Sequence, residues 1–255
     1  KLSGYVSEID FESLQFNYRY LALSFLIIPI WFLLRCYVWK FLLRSMGEEI
    51  SLINSIRLIG ITNFGKYIPG KVWFTVGRTV LAERLGIPKK KSFSSIVWDT
   101  YFLLLISISF LVLLVFRIQL TNRMIIPAVV TVMCIIVPLS IPAIFKKLIN
   151  ILLRIIKKKS VEYSVPGRDV ILILLMDLVI WSLQGLQFLL LIKSIYSPAL
   201  DYFTVMLLYP SAWAMGFIVL VMPAGLGIRE GFLTFVLMQV FPADMKGMAI
   251  IVAFL

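Results

Sequence analysis

The chain has 255 residues, enough for one or two soluble domains, but 61% of them are apolar and the mean hydropathy is +0.99, against about half apolar for a soluble domain. Charged residues make up 15% and are clustered, leaving uncharged runs that a soluble core could not cover on every side. A secreted or cytosolic enzyme is thereby excluded. With no histidine in the chain, His-based triads, His-coordinated zinc and His proton relays are excluded as well.

In chain order, the first eighteen residues carry Glu8, Asp10 and Glu12 without a secretory signal pattern and read as an amphipathic or loop lead-in. A helix needs about 20 apolar residues to cross about 30 Å of hydrocarbon, and residues 20–43 are the first run to meet that test. Residues 51–67, with Asn54, Arg57 and Asn63, and residues 71–87, with Arg78, Glu83 and Arg84, are shorter and more polar, and NFGKYIPGKVW breaks the chain between them. A re-entrant hairpin shielded by other helices satisfies both the shortness and the polarity; two cytoplasmic interfacial helices are the competing reading. Residues 93–116 and 124–145 are the next two spans. From Lys146 to Lys158 basic residues recur at helical spacing opposite Leu148, Ile149, Leu152, Ile155 and Ile156. That pattern fits an interfacial amphipathic helix or a cytoplasmic continuation of the preceding span. Residues 170–192 form the fourth span; residues 202–222 and 226–241 are apolar too, separated by MPAGLGIRE as two elements or one broken one. A further span starts at Met248 and stops partway, so the chain reads as a fragment truncated at its C-terminus, a single transmembrane domain over 1–255.

The net charge is +12, and eighteen of the twenty-five basic residues lie in three stretches, 35–57, 66–91 and 146–168. The positive-inside rule makes those stretches cytoplasmic and the acidic lead-in external. The connections on the outer side hold only Arg117, Arg123, Lys193 and Asp201. Lacking interleaved aromatics or a soluble domain, the basic clusters suit anionic lipid and not nucleic acid. Cys36 and Cys134 are far apart and read as packing or lipid-facing thiols. Among thirteen acids only Glu48 and Glu49 adjoin, a poor basis for metal-assisted transfer, so no enzyme, cofactor or metal is expected.

Landmarks repeat at one offset. Pro69 and Pro223 are 154 residues apart, the spans starting at Tyr20 and Val170 are 150 apart, and those starting at Phe93 and about Lys246 are 153 apart. The fold class expected is an all-α, polytopic membrane bundle with two broken or re-entrant hairpins and pseudo-repeats over about 20–116 and 170–255. An extra crossing between the copies inverts the second, an arrangement in which half-helix ends offer unpaired N–H and C=O groups to a polar substrate.

NFGKYIPGKVW followed by Gly77 and Arg78, together with MPAGLGIRE carrying Arg229 and Glu230, resembles the lysylphosphatidylglycerol synthase transmembrane-region family, the flippase-like part of bacterial multiple peptide resistance factors. The match runs from the first span to the end of the chain. Where that family commonly carries a Glu-Arg pair in the span after the first break, this chain reads Val97, Trp98, Asp99, Thr100, with Asp99 standing in for the acid and no arginine beside it. The aminoacyl-transferase domain of the resistance factors is not within these residues, so the resemblance implies no lysyl transfer here.

Candidate substrate-binding residues therefore gather at the two breaks: Lys66, Pro69, Gly70, Lys71, Arg78, Glu83, Arg84 and Asp99 at the first, and Pro223, Gly225, Gly227, Arg229 and Glu230 at the second. Lys66, Lys71 and Arg78 serve a phosphate at a helix N-terminus or topology alone. Arg229 and Glu230, adjacent on a helix, point about 100° apart and are expected to pair elsewhere, with Asp99, Arg78 or Glu83 as partners, or to contact substrate. Asp177, Gln184 and Gln187 share one face, a packing or cavity-lining seam. Aromatic stripes elsewhere read as lipid contact or interfacial belt. The function expected is that of a multi-pass cell-membrane lipid translocase of flippase type. Its substrate, by resemblance, is an anionic or modified phospholipid or lipid-linked headgroup. The alternatives are an accessory subunit for a glycosyltransferase and a polyprenyl-phosphate or lipid-modifying membrane enzyme. The partners expected are anionic membrane lipids, with a second copy or a partner transferase beside them, and no nucleic acid.

Overall fold

The computed structural model describes residues 17–68, 73–118, 165–195, 201–218 and 225–241, together with positions 147, 150, 151, 249, 252 and 253. Seven α-helices are described and no strand: α1 (Tyr18–Ser45), α2 (Leu52–Asn63), α3 (Trp73–Glu83), α4 (Lys89–Arg117), α5 (Gly167–Ile195), α6 (Tyr202–Ile218) and α7 (Ile228–Val240). Helices α1, α4 and α5, of 28, 29 and 29 residues, are long and apolar enough to cross a membrane, matching the spans expected at 20–43, 93–116 and 170–192. The lead-in, the span at 124–145, the amphipathic pattern at 146–158 and the start of a last span fall wholly or largely outside the described residues.

Polar residues set the helix ends. Ser51 caps α2 by accepting the N–H of Asn54 at 3.3 Å. Asp201 caps α6, accepting the Phe203 N–H at 3.2 Å and the Thr204 hydroxyl at 2.8 Å, which relieves two donors that have no partner inside the helix. At the start of α7 the Glu230 carboxylate reaches back to accept the Gly227 N–H at 2.7 Å. A short 3₁₀ turn, Phe64–Tyr67, continues α2.

The long helices form the frame. Helix α1 packs along α5, α4 packs on α5 and α6, and α6 on α7; α2 and α3 pack on each other, α2 also on α1 and α3 also on α4. Val38 and Leu42 of α1, Trp98 and Phe102 of α4 and Ile173 and Ile180 of α5 make one apolar cluster. Leu58 and Ile59 of α2 meet Cys36 and Trp39 of α1 in a second. Cys36 is thus a packing thiol. In a lipid-facing bundle no water satisfies a stray polar group, and several polar side chains of the frame are tied between helices: Ser55 donates to the Cys36 carbonyl at 2.7 Å, Trp39 to Ser95 at 3.1 Å and Trp181 to the Leu103 carbonyl at 3.0 Å.

Two glycine contacts set how closely the second group of helices approaches. A Cβ on Gly185 would overlap the Met206 carbonyl, so α5 and α6 cross backbone to backbone. Gly225 has φ +74, and a Cβ there would lie 2.7 Å from the Gly216 Cα. Only glycine fits both the left-handed backbone and the space. From Gly225 onward the late Gly-rich break is therefore a close-packed turn of α7 against α6.

Candidate functional site

Arg35, Asp99 and Asp177 share a depth. Arg35 lies ten residues before Ser45, the end of α1; Asp99 lies ten residues after Lys89, the start of α4; and Asp177 lies ten residues after Gly167, the start of α5. At 1.5 Å per residue each is about 15 Å from its helix end, half of the roughly 30 Å hydrocarbon thickness. All three ends adjoin the basic stretches that the charge pattern assigns to one side.

At that level a cavity of about 290 Å³ opens, lined by side chains from all seven helices. On one side Arg35 and Asp99 face each other as a bidentate pair, each guanidinium Nη donating to one carboxylate oxygen. Arg78 of α3 approaches the same carboxylate at 3.6 Å, donates through Nε to Thr62 at 3.4 Å, and lies over the Trp39 ring at 5.3 Å. Asp99 and Arg78 are almost fully buried, at 2% and 5% side-chain exposure. On the other side Arg229 of α7 sits 5.3 Å over the Tyr209 ring with its Nε 3.8 Å from Glu230, beyond hydrogen-bond distance. That Nε is buried without a hydrogen-bond partner. Trp31, Trp181, Trp213 and Phe217 line the cavity with them, and Trp31 is fixed by donation to Gln187 at 2.9 Å.

The lining therefore carries three guanidinium groups against two carboxylates, a surplus of positive charge in an aromatic enclosure. Planar guanidinium groups bind phosphate bidentately and stack on aromatic faces, so the arrangement suits a phosphate group. Among the described residues no three acids or cysteines gather as a metal site.

Of the residues singled out in the sequence, Arg78, Asp99, Arg229 and Glu230 converge on the cavity, although they are 152 positions apart at the extremes. Gly225 and Gly227 shape the turn that delivers Arg229. Glu83 and Arg84 do not line the cavity. Both are exposed, and Glu83 pairs with Lys89 at 3.0 Å, because at the end of α3 it is Ala82 that turns into the core. Pro69, Gly70, Lys71 and Pro223, and the side chain of Lys66, lie outside the described residues. The partner expected for Arg229 and Glu230 at Asp99, Arg78 or Glu83 is replaced by a loose contact between the neighbours themselves, since Glu230 turns back to the Gly227 N–H.

Arg35 is the residue that sequence reasoning missed. Counted there as a topological charge, it supplies from α1 the arginine that has no counterpart beside Asp99. The signal was present: Arg35 has fifteen uncharged neighbours on the N-terminal side and four on the other, and a charge that deep in a span marks a site. Trp31, Tyr209 and Trp213, assigned to lipid contact by their type, line the cavity instead. Of the seam on α5, Gln184 lines the cavity, Gln187 holds Trp31, and Asp177 is fully buried.

No curated protein matches the chain. The family described as Lysylphosphatidylglycerol synthase TM region matches residues 6–255, nearly the whole length, and the motifs at both breaks meet in one cavity, so the chain belongs to this family of membrane domains.

Proposed function

We propose that the chain is a lipid translocase that passes an anionic or modified phospholipid headgroup between leaflets through this cavity while the acyl chains stay in the bilayer. The observation that carries the reading is the convergence of three arginines and an aromatic wall on one cavity at the level of Arg35 and Asp99, about 15 Å from the ends of their long helices, where a charge costs about 2.5–3.5 kcal/mol on insertion scales and persists only with a purpose. The cavity volume lies at the low end of the roughly 300–1,000 Å³ of small-molecule sites. That size suits a headgroup and not a whole diacyl lipid.

The depth of Asp99 also favours the re-entrant reading of α2 and α3 over the interfacial one. Arg78 reaches Asp99 from α3, and a helix lying on the headgroups could not place a guanidinium that deep. Ile61, Phe64, Trp73, Val76 and Val80 leave an exposed apolar surface on the same pair of helices, suited to lipid. The order long helix, short pair, long helix in α1 to α4, begun again in α5 to α7, supports the inverted repeat and multi-pass placement in a cell membrane.

The test is reconstitution into liposomes containing fluorescent phosphatidylglycerol or phosphatidylcholine labelled on an acyl chain with a nitrobenzoxadiazole group carried at the membrane surface. Dithionite then bleaches the outer leaflet. Protein-dependent bleaching beyond the outer-leaflet half, faster for the anionic lipid, is the expected result. Bleaching that stops at the outer-leaflet half for every headgroup overturns the reading.

A further inference from the structure

One buried ionisable group in the frame is unused by this account. Asp177 has no exposed surface, and neither carboxylate oxygen has a hydrogen-bond partner. It sits between Ile173 and Ile180 on the face of α5 that packs against α1 and α4, one turn before Trp181, which lines the cavity. From α1 the charged group facing it is Arg35, and from α4 it is Asp99, both in electrostatic contact with it. Tyr101 is the other titratable side chain on that stretch of α4 and Tyr209 the one on α6 in the cavity; Arg78 acts on the group through Asp99.

A lone, fully buried carboxylate without hydrogen-bond donors from the protein is among the most costly groups to bury, and Arg35 is committed to Asp99 by both of its terminal nitrogens. In this arrangement Asp177 is therefore neutral. Arg35, Arg78 and Asp99 then leave one positive charge to spare for an anion. With Asp177 ionised, the same four groups sum to zero, and the carboxylate draws Arg35 toward itself. The ionised Asp177 and a phosphate thus compete for one surplus charge.

We propose that Asp177 is a proton-binding site linked to the cavity, so that a proton and an anionic headgroup are taken up together. The inference deepens the translocase reading and rests on it for the nature of the anion. Linkage makes the coupling reciprocal. Protonation opens the arginines to the phosphate, and the phosphate holds the proton in place. A pH difference across the membrane then biases the direction of lipid movement.

The experiment uses the full chain in detergent and acyl-labelled phosphatidylglycerol, whose phosphodiester stays anionic throughout, with binding read by quenching of the cavity tryptophans between about pH 5 and 9. In the native chain affinity should be constant at the acid end and fall by up to about tenfold per pH unit above the titration of Asp177. Asp177→Asn, permanently neutral, should bind with acid-end affinity at every pH, and Asp177→Glu should keep the fall at a displaced pH. A native profile without the fall, or a fall unchanged in Asp177→Asn, overturns the proton site. Should Asp177→Asn fail to run as a single species on size exclusion, the Asp177→Glu profile decides, and an undisplaced fall there overturns the site. A linked binding profile with no lipid movement in liposomes sinks the translocase reading and leaves the proton site standing; movement with pH-independent binding does the reverse. Absence of binding at every pH overturns both.

Discussion

Arg35 and Arg229 line the same cavity from opposite sides, and the protein treats them differently. Arg35 is gripped by both oxygens of Asp99, whereas Arg229, with its side chain 32% exposed, has an unpartnered Nε and a loose contact with Glu230. A bidentate pair deep in the bundle holds α1 to α4 and neutralises itself. An arginine stacked on a tyrosine with donors to spare is ready for a ligand. The contrast separates holding the frame from engaging the substrate, and substitutions should divide along that line.

The largest loss of stability is expected for Arg35→Ala. Removing one partner of a buried pair typically costs about 3–5 kcal/mol, and Arg78 at 3.6 Å does not replace the bidentate grip. The midpoint of thermal aggregation in detergent should fall sharply; a midpoint within a degree of native would mean that Arg78 alone satisfies Asp99.

Next in size is Gly225→Ala, which strains a positive φ and pushes a methyl group onto the Gly216 backbone, at about 1–3 kcal/mol. Because this turn aims Arg229, lipid movement should fall with stability. Gly227→Ala, strained in φ but with open space around its Cβ, should cost less by the same thermal assay.

Arg229→Lys should leave stability within about 1 kcal/mol, since Glu230 keeps its bond to the Gly227 N–H. It removes bidentate donation, and losing a charge-assisted bond of about 1.5–3 kcal/mol should slow lipid movement about ten- to a hundredfold. Arg229→Ala should be equally well folded and slower still. Marked destabilisation of either variant would place Arg229 with Arg35 among the frame residues.

The smallest effect belongs to the exposed clip at the other end of the bundle, where Arg117 meets Asp201 at 2.8 Å. The Thr204 hydroxyl first, and Arg117 after it, hold the Asp201 carboxyl below the usual carboxylate range. A depressed value means that the stabilisation is present above the ordinary carboxylate range and disappears as pH falls through the lowered one. Asp201→Asn should therefore shift the thermal midpoint only slightly near neutral pH, by less than about 1 kcal/mol for so exposed a pair, and not at all in strong acid. A shift independent of pH would assign the role of Asp201 to capping α6 alone.

Much of this division was legible in the sequence, for identifiable reasons. Long apolar runs announced α1, α4 and α5 because about twenty predominantly apolar residues in succession have few soluble uses. The Pro and Gly breaks announced the short helices, and Arg78, Asp99, Arg229 and Glu230 stood out as charges beside them. Arg35 was hidden because it precedes Lys40 and Arg44 and blends into the cytoplasmic count; only helix depth separates it from them. The loose Arg229 and Glu230 contact was hidden for another reason, since the backbone turn at Gly227, and not helix geometry, decides where Glu230 points. The cavity tryptophans look like any interfacial aromatic until the packing of α1 on α5 and of α6 on α4 turns them inward.

The central claim is that the headgroup path runs through the cavity between these two arginines, and Thr100 offers the most direct test. Thr100 lines the cavity beside Asp99 and uses its hydroxyl only to bond the Ile96 carbonyl of its own helix at 2.8 Å, so Thr100→Trp should fill the space while leaving every ion pair in place. In liposomes of matched protein content, the native chain should carry acyl-labelled phosphatidylglycerol to the dithionite-accessible leaflet and Thr100→Trp, folded to the same thermal midpoint, should not. Equal rates in the two would contradict the account and move the lipid path elsewhere in the bundle.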